Sequence, residues 1–373
     1  MELKTYFDYA ATCPIRPELQ KRYLSYLERY PQNPHGGTCF AEQSRRLILN
    51  AERRIFSLLS LPEGGAKIIW TSGSTEALNL AINSAPGKNF AVDSGAHPAM
   101  LQSVLAQEKR GCVTHLLPLS AEGKINWSQA PLQHAFDFIA LCDLNNETGV
   151  CQNLAEIPNI NTGSKPIICV DAAQSFGKRK INFNQEKIDY LVLSSRKIGG
   201  PGTLGALVYR SNCPIKPVLF GGGQQHNLRS GTLDTPTILL FADAAELSYQ
   251  KAAEEQKRYQ LWNTLLRTEL QKIAPDKIIF FSPKTASSPI LSFGFRGYEG
   301  AIITRMLAEY CGIQVSSGSA CSAESHEISL VLKAMGYSDQ DARCAIRLSM
   351  GYGNTKDQIK DFLHVMPQLL KNY

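Results

Sequence analysis

Two short apolar runs in this chain end in groups of opposite charge. Residues 166–170 close on Asp171, with an amide three positions on at Gln174. Residues 188–193 open into Ser194, Ser195, Arg196 and Lys197, ahead of a glycine-rich turn. Runs of this length bounded by turn residues read as buried strands. Ligands gather at the carboxyl ends of parallel strands, so the carboxylate and the amine are expected in one crevice. A lysine that forms a Schiff base and an acid that pairs with a pyridinium nitrogen are what pyridoxal 5'-phosphate (PLP) requires of a protein. An ordinary α/β strand end beside a solvated lysine fits the same residues, so the rest of the chain has to decide.

Other stretches carry complementary chemistry. A strand at 67–70 leads into Thr71-Ser72-Gly73-Ser74-Thr75-Glu76 and then a helical run. Free N–H groups at that helix start, with the hydroxyls of Ser74 and Thr75, make an anion site suited to phosphate. A plain N-cap explains the same residues. His97 follows a strand at 90–92, where an imidazole could stack on a flat cofactor and shuttle protons. The buried run 138–142 ends near Asn146, a candidate partner for a ring substituent or a substrate carboxylate. The polar loop 221–232 offers Arg229 and Thr232 as anion contacts. Cys321 sits among serines, alanines and a glycine at 316–325, unlike the apolar surroundings of Cys142 and Cys169. A nucleophilic thiol needs such access, and a loop lets it move between reacting partners. An exposed, inert cysteine is the other reading.

Strand ends near 71, 95, 144, 171 and 194, with helices between several of them, predict an α/β fold with a mostly parallel sheet covered on both faces. Helices are expected over 17–29 and 39–59. A longer one, 236–270, should break near 248–255 and link two domains. After it the pattern changes to a small α+β unit with strands at 290–295, 313–316 and 345–350 and a helix at 298–311. A last helix begins at a Thr355/Gln358 capping box and is expected to kink at Pro367. The expected division is a large domain over 14–250 and a smaller one built from 1–13 and 251–373, the latter carrying Cys321.

Composition narrows the function. With 39 basic and 33 acidic residues the net charge is only +6, and the basic residues are scattered, so no nucleic-acid partner is expected. No apolar run reaches the ~20 residues of a membrane span, and no secretory signal opens the chain. Ten cysteines without a Cys-x-x-Cys pair or zinc-finger spacing imply a reduced, cytoplasmic protein with no structural metal.

Taken together, the motifs resemble those of the cysteine desulfurases, PLP enzymes of the class V aminotransferase group. The resemblance runs from Tyr6-Phe7-Asp8-Tyr9-Ala10-Ala11-Thr12 to Arg347-Leu348-Ser349-Met350-Gly351. It is carried by the 71–76 motif, His97-Pro98, Asn145-Asn146-Glu147-Thr148-Gly149, Val170-Asp171-Ala172-Ala173-Gln174, Arg229-Ser230-Gly231-Thr232 and 316–321. It implies a fold-type I PLP-dependent transferase with a seven-stranded sheet and a homodimer. Lys197 would hold PLP, Asp171 its pyridine nitrogen and Gln174 its phenolic oxygen, with His97 stacked on the ring. Ser74, Thr75 and Ser194 would bind the phosphate, joined by Thr232 of a neighbouring subunit. Asn146 and Arg347 would hold the carboxylate of L-cysteine, and Cys321, on a long mobile loop, would take its sulfur for a sulfur-acceptor protein. Other class V chemistry (selenocysteine lyase, small-amino-acid transamination) and a non-catalytic scaffold remain open from these residues. Two departures stand out. Arg196 occupies the usual place of a histidine, where it can still bind phosphate and is expected to lower the pKa of Lys197. Gln225-His226-Asn227 replaces the more usual Glu-Arg-Gly.

Overall fold

The computed structural model describes residues 2–62, 64–157, 165–318 and 328–373. A short strand β1 (Thr5–Tyr6) precedes α1 (Pro17–Arg29) and α2 (Cys39–Leu58). Strands and helices then alternate: β2 (Ala66–Thr71), α3 (Ser74–Ser84), β3 (Asn89–Asp93), α4 (Pro98–Leu105) and β4 (Val113–Leu117). Four strands follow, β5 (Phe138–Cys142), β6 (Ile167–Asp171), β7 (Tyr190–Ser194) and β8 (Gly205–Arg210). The long α5 (Thr235–Ile273) leads to β9 (Ile278–Phe280), β10 (Ile290–Phe295), α6 (Gly300–Met306), β11 (Ile313–Gln314) and β12 (Ser316–Ser317). The chain ends with α7 (Leu330–Ala334), α8 (Asp339–Arg343), β13 (Ile346–Ser349) and α9 (Lys356–Lys371).

Seven strands form one sheet in the order β2-β8-β7-β6-β5-β3-β4. The run from β7 to β4 is parallel throughout, and β8 lies antiparallel to both of its neighbours. This is the expected mostly parallel α/β sheet. Side chains alternate between its faces. Leu191 and Leu193 of β7 pack with Ile48 and Ile55 of α2 and Phe241 of α5, whereas Tyr190 and Val192 pack with Leu78 of α3 and Met100 of α4. Both faces are therefore covered, which is why these strands read as continuous apolar runs.

A second, antiparallel sheet has the order β12-β13-β10-β9. Leu291, Phe293 and Leu348 on one of its faces pack on Phe362 and Met366 of α9 and on Trp262 and Leu266 of α5. β1 pairs in parallel with β11.

Three expectations need correction. Helix α5 does not break near 248–255; it runs unbroken through 39 residues, about 58 Å. Its first half buries Ile238 and Phe241 in one core and its second half buries Trp262 and Leu266 in the other. The apolar stripe lapses only where the helix crosses between cores, and there Lys251, Ala252, Ala253 and Glu254, all good helix formers, continue the turn. The strand expected at 313–316 is two pieces with different partners, β11 on β1 and β12 on β13. The helix expected over 298–311 widens into a π-helical turn at Leu307–Cys311 before Gly312 stops it in the left-handed region, at φ 68°. The capping box at Thr355 and Gln358 is present, and α9 continues through Pro367. Among the described residues no helix is long and apolar enough to cross a membrane.

The start of β8 fixes the turn that opens α3. A Cβ added at Gly205 would sit 2.4 Å from the Gly73 carbonyl carbon, so only glycine lets the two backbones approach. Gly205→Ala is expected to lower stability by about 1–3 kcal/mol, read as a lower denaturant midpoint, because backbone must move to admit the methyl.

Candidate active site

The carboxyl ends of β2, β3, β5, β6 and β7 and the start of β8 open onto a cavity of about 330 Å³. Its wall brings together Ser74, Thr75, His97, Asn146, Asp171, Gln174, Ser194, Arg196, Lys197 and Arg347. Thus ten of the residues singled out from the sequence converge from six elements. Three do not join them: Arg229, which is bound to Glu76, and two more. Thr232 lies exposed on the loop before α5, outside the cavity of its own chain. Cys321 lies outside the described residues.

Asp171 ends β6 almost fully buried. One carboxylate oxygen accepts the Ala173 N–H at 2.9 Å. Burial pushes its pKa up to about 6, against the pull of that N–H and of the Lys197 charge. Lys197 stands in the short helical turn after β7. Its Nζ donates to the Ala10 and Ala11 carbonyls at 2.8 and 2.6 Å. Gln174 donates to the same Ala10 carbonyl at 2.7 Å and accepts from Lys178 Nζ at 3.0 Å. The segment 8–12 is anchored in turn. Asp8 pairs with buried Arg347 at 2.7 Å, and the Ala10 N–H reaches Ser349 Oγ at 2.9 Å. Neither the Ala10 and Ala11 carbonyls nor Lys178 was singled out from the sequence. Main-chain acceptors leave no mark in residue type, and only the Gln-x-x-x-Lys spacing could have hinted at the second lysine.

His97 caps α4, with Nδ1 accepting the Ala99 N–H at 3.1 Å. Its neutral ring therefore carries its proton on Nε2. Burial, then the charge of Lys197, lowers its pKa, so the ring is neutral at pH 7. Asn145 rather than Asn146 builds the turn after β5: its Oδ1 accepts from Glu147 N, Thr148 N and Thr148 Oγ1, and its Nδ2 donates to the Gly95 carbonyl. That leaves the Asn146 side chain on the cavity wall, while its carbonyl takes Arg347 Nη1 at 3.1 Å.

The turn that opens α3 is held from outside. Arg229 makes a two-pronged ion pair with Glu76, at 2.7 and 3.1 Å, and Glu76 accepts the Ser72 N–H at 2.7 Å. Arg229, expected as an anion contact, is therefore committed to a carboxylate and positions the turn instead. Gln225 adds a second hold: its side-chain amide accepts the Trp70 N–H at 2.8 Å and donates to the Trp70 carbonyl at 2.9 Å. Gln225, His226 and Asn227 all lie in the left-handed region, at φ 50°, 59° and 63°. Such backbone costs about 1 kcal/mol or more per residue, partly offset here by the two bonds to Trp70.

With this geometry in view, likeness to known proteins becomes informative. Residues 5–362 match the model of the aminotransferase class-V family. The human protein named cysteine desulfurase is 31% identical over 365 residues, 95% of this chain and 79% of that one. The chain belongs to the class-V aminotransferases, among the cysteine desulfurases. A solved structure titled as a NifS-like protein shares the fold of this family member, with a TM-score of 0.90 at 23% identity over 99% of this chain and all of that one. A structure titled SspA in complex with cysteine superposes with a TM-score of 0.75 at 28% identity, over 93% of this chain and 99% of the other.

Within this class-V aminotransferase the buried carboxylate has a measurable signature. An acid whose folded pKa lies above its unfolded value costs the fold stability; the cost is fully present above about pH 6 and is lost as pH falls from there to the ordinary carboxylate range. Asp171→Asn in coenzyme-free protein should therefore raise stability by roughly 2 kcal/mol at pH 7.5 and leave it nearly unchanged at pH 4, measured as urea midpoints at the two pH values.

Proposed function

We propose that this chain is a PLP-dependent cysteine desulfurase, which converts L-cysteine to L-alanine and moves the sulfur to Cys321 as a persulfide for an acceptor protein. One observation carries the reading: Lys197 and Asp171 share a cavity whose far wall is a helix start bearing hydroxyls. The donor set fits PLP from end to end. Asp171, buried without a cationic partner among the described residues, suits a pyridinium nitrogen. Gln174 suits the phenolic oxygen, and His97 the ring face. The N–H groups opening α3, with Ser74, Thr75 and Ser194, suit the phosphate. Arg196 stands exposed on the cavity wall with its Nε on the Gly202 carbonyl at 2.8 Å, so its remaining N–H groups are on hand for the same phosphate.

PLP, when bound, supplies an electron sink for the pair left at the substrate Cα. The protein does the rest. Asn146 and Arg347 hold the substrate carboxylate. Lys197 takes the Cα proton, and His97 carries a proton on Nε2 for later return. The Cys321 thiolate attacks the substrate sulfur; the new S–S bond forms as the C–S bond breaks, and alanine leaves. Support for placing this step here comes from the described residues flanking Cys321. Ser329 Oγ donates to Glu147 at 2.6 Å, and a Cβ added at Gly318 would lie 3.5 Å from the same carboxylate, next in sequence to Asn146.

The exposed position of Thr232 supports a homodimer in which it completes the phosphate site of the neighbouring subunit. The two separate cores support a large domain over 14–250 and a small one from 1–13 and 251–373. Nine described cysteines are free, in keeping with a cytoplasmic setting. Iron–sulfur cluster assembly and tRNA thiolation are the kinds of pathway that draw on such a persulfide.

Lys197→Ala is expected to abolish the yellow absorbance of the purified protein. Cys321→Ser should stay yellow yet form no protein persulfide, checked by alkylation and mass spectrometry. Full sulfur release by Cys321→Ser would remove that residue from the mechanism.

A further inference from the structure

Lys178 is a cation beside the cavity for which the mechanism above has no use. It lies four residues after Gln174, half-buried, and its Nζ donates to Gln174 Oε1. It also lines a second cavity, of about 50 Å³, behind Lys197, together with Cys13, Arg16 and Glu255. Arg16 holds Glu255 in a two-pronged pair at 2.8 and 3.1 Å, so that carboxylate is already occupied. Burial pushes the Lys178 pKa down to about 8; Cys13 and Glu255 oppose this and Lys197 adds to it. Enclosing an ammonium without a carboxylate is unfavourable. The group must therefore make a contact that a neutral aliphatic chain could not.

That contact is on an amide whose two ends differ. Oε1 only accepts and Nε2 only donates. With an ammonium at one end and the Ala10 carbonyl at the other, a flipped Gln174 would set N–H against N–H and oxygen against oxygen. Three groups thus form one chain: Lys178 Nζ to Gln174, Gln174 to the Ala10 carbonyl, and Lys197 Nζ to that carbonyl from the far side. A charged donor on Oε1 also polarises the amide and strengthens its N–H groups as donors.

We infer that Lys178 is a positioning residue that locks the Gln174 amide so that Nε2, one of whose N–H groups meets the Ala10 carbonyl, offers the other to the coenzyme's phenolic oxygen, and thereby tunes the ionisation of the bound coenzyme. This rests on the PLP reading above. A stronger N–H donor favours the ionised oxygen, so it lowers the pH at which the bound coenzyme loses its proton. Removing Lys178 should raise that pH.

The test is the absorbance of the bound coenzyme as a function of pH in the full-length holoenzyme. Lys178→Met should raise the midpoint by about half a unit or more, and Gln174→Leu by a similar amount. In a Gln174→Leu background, Lys178→Met should add nothing, because its effect runs through the amide. Lys178→Gln, which keeps a neutral donor, should give a smaller rise, and it carries the comparison if Lys178→Met fails to fold. An unmoved midpoint in both Lys178 variants overturns the inference. So does an undiminished shift in the Gln174→Leu background, which would make Lys178 a direct charge effect. Wild-type protein that binds no PLP would overturn the coenzyme reading itself, an outcome distinct from a PLP-bound wild type indifferent to Lys178.

Discussion

The site depends on keeping an amine and a carboxylate in one cavity without letting them neutralise each other. Lys197 and Asp171 feel each other's charge, yet no salt bridge joins the one to the other. Two main-chain carbonyls, Ala10 and Ala11, hold the amine instead. Had the pair closed, the cavity would contain a satisfied salt bridge and no reason to bind a cationic ring. Geometry imposed from outside the sheet preserves the unmet charge of Asp171.

The N-terminal segment supplies that geometry, and it is itself held against the small sheet. Its strand pairs with β11, Phe7 packs in the core of the small sheet, and Asp8 and Ala10 are bonded to Arg347 and Ser349 of β13. The carbonyls that restrain Lys197 are thus fixed to the unit that also contributes Arg347 to the cavity wall. Because Arg347 and Asp8 are both largely buried, losing either partner would strand a charge and disturb the site as well as the fold. Helix α5 ties the same two cores together along a separate line.

Legibility in the sequence followed burial. β5, β6 and β7 are covered on both faces, so their apolar runs announced them, and the groups at their ends could be read as a converging set. β4 could not be read, because as an edge strand it exposes Val113 and Leu116. The unbroken α5 was missed because its apolar stripe lapses between cores while helix propensity does not. Within the site, Asp171, Lys197 and His97 were legible from their place after strands. The restraints on them were not: the Ala10 carbonyl is main chain, the grip of Lys178 on Gln174 depends on the fold of the intervening turn, and Arg229 proved to be bound to Glu76.

The amide of Gln225 does something that reaches past the cavity. β2 is the last strand on its side of the large sheet, and a border strand of this kind offers its main chain as a template for a neighbouring molecule. By satisfying both the N–H and the carbonyl of Trp70, one side chain imitates a single residue of an eighth strand. The loop that carries it thus doubles as a local seal against sheet growth from copy to copy, placed where Trp70 meets the turn into α3.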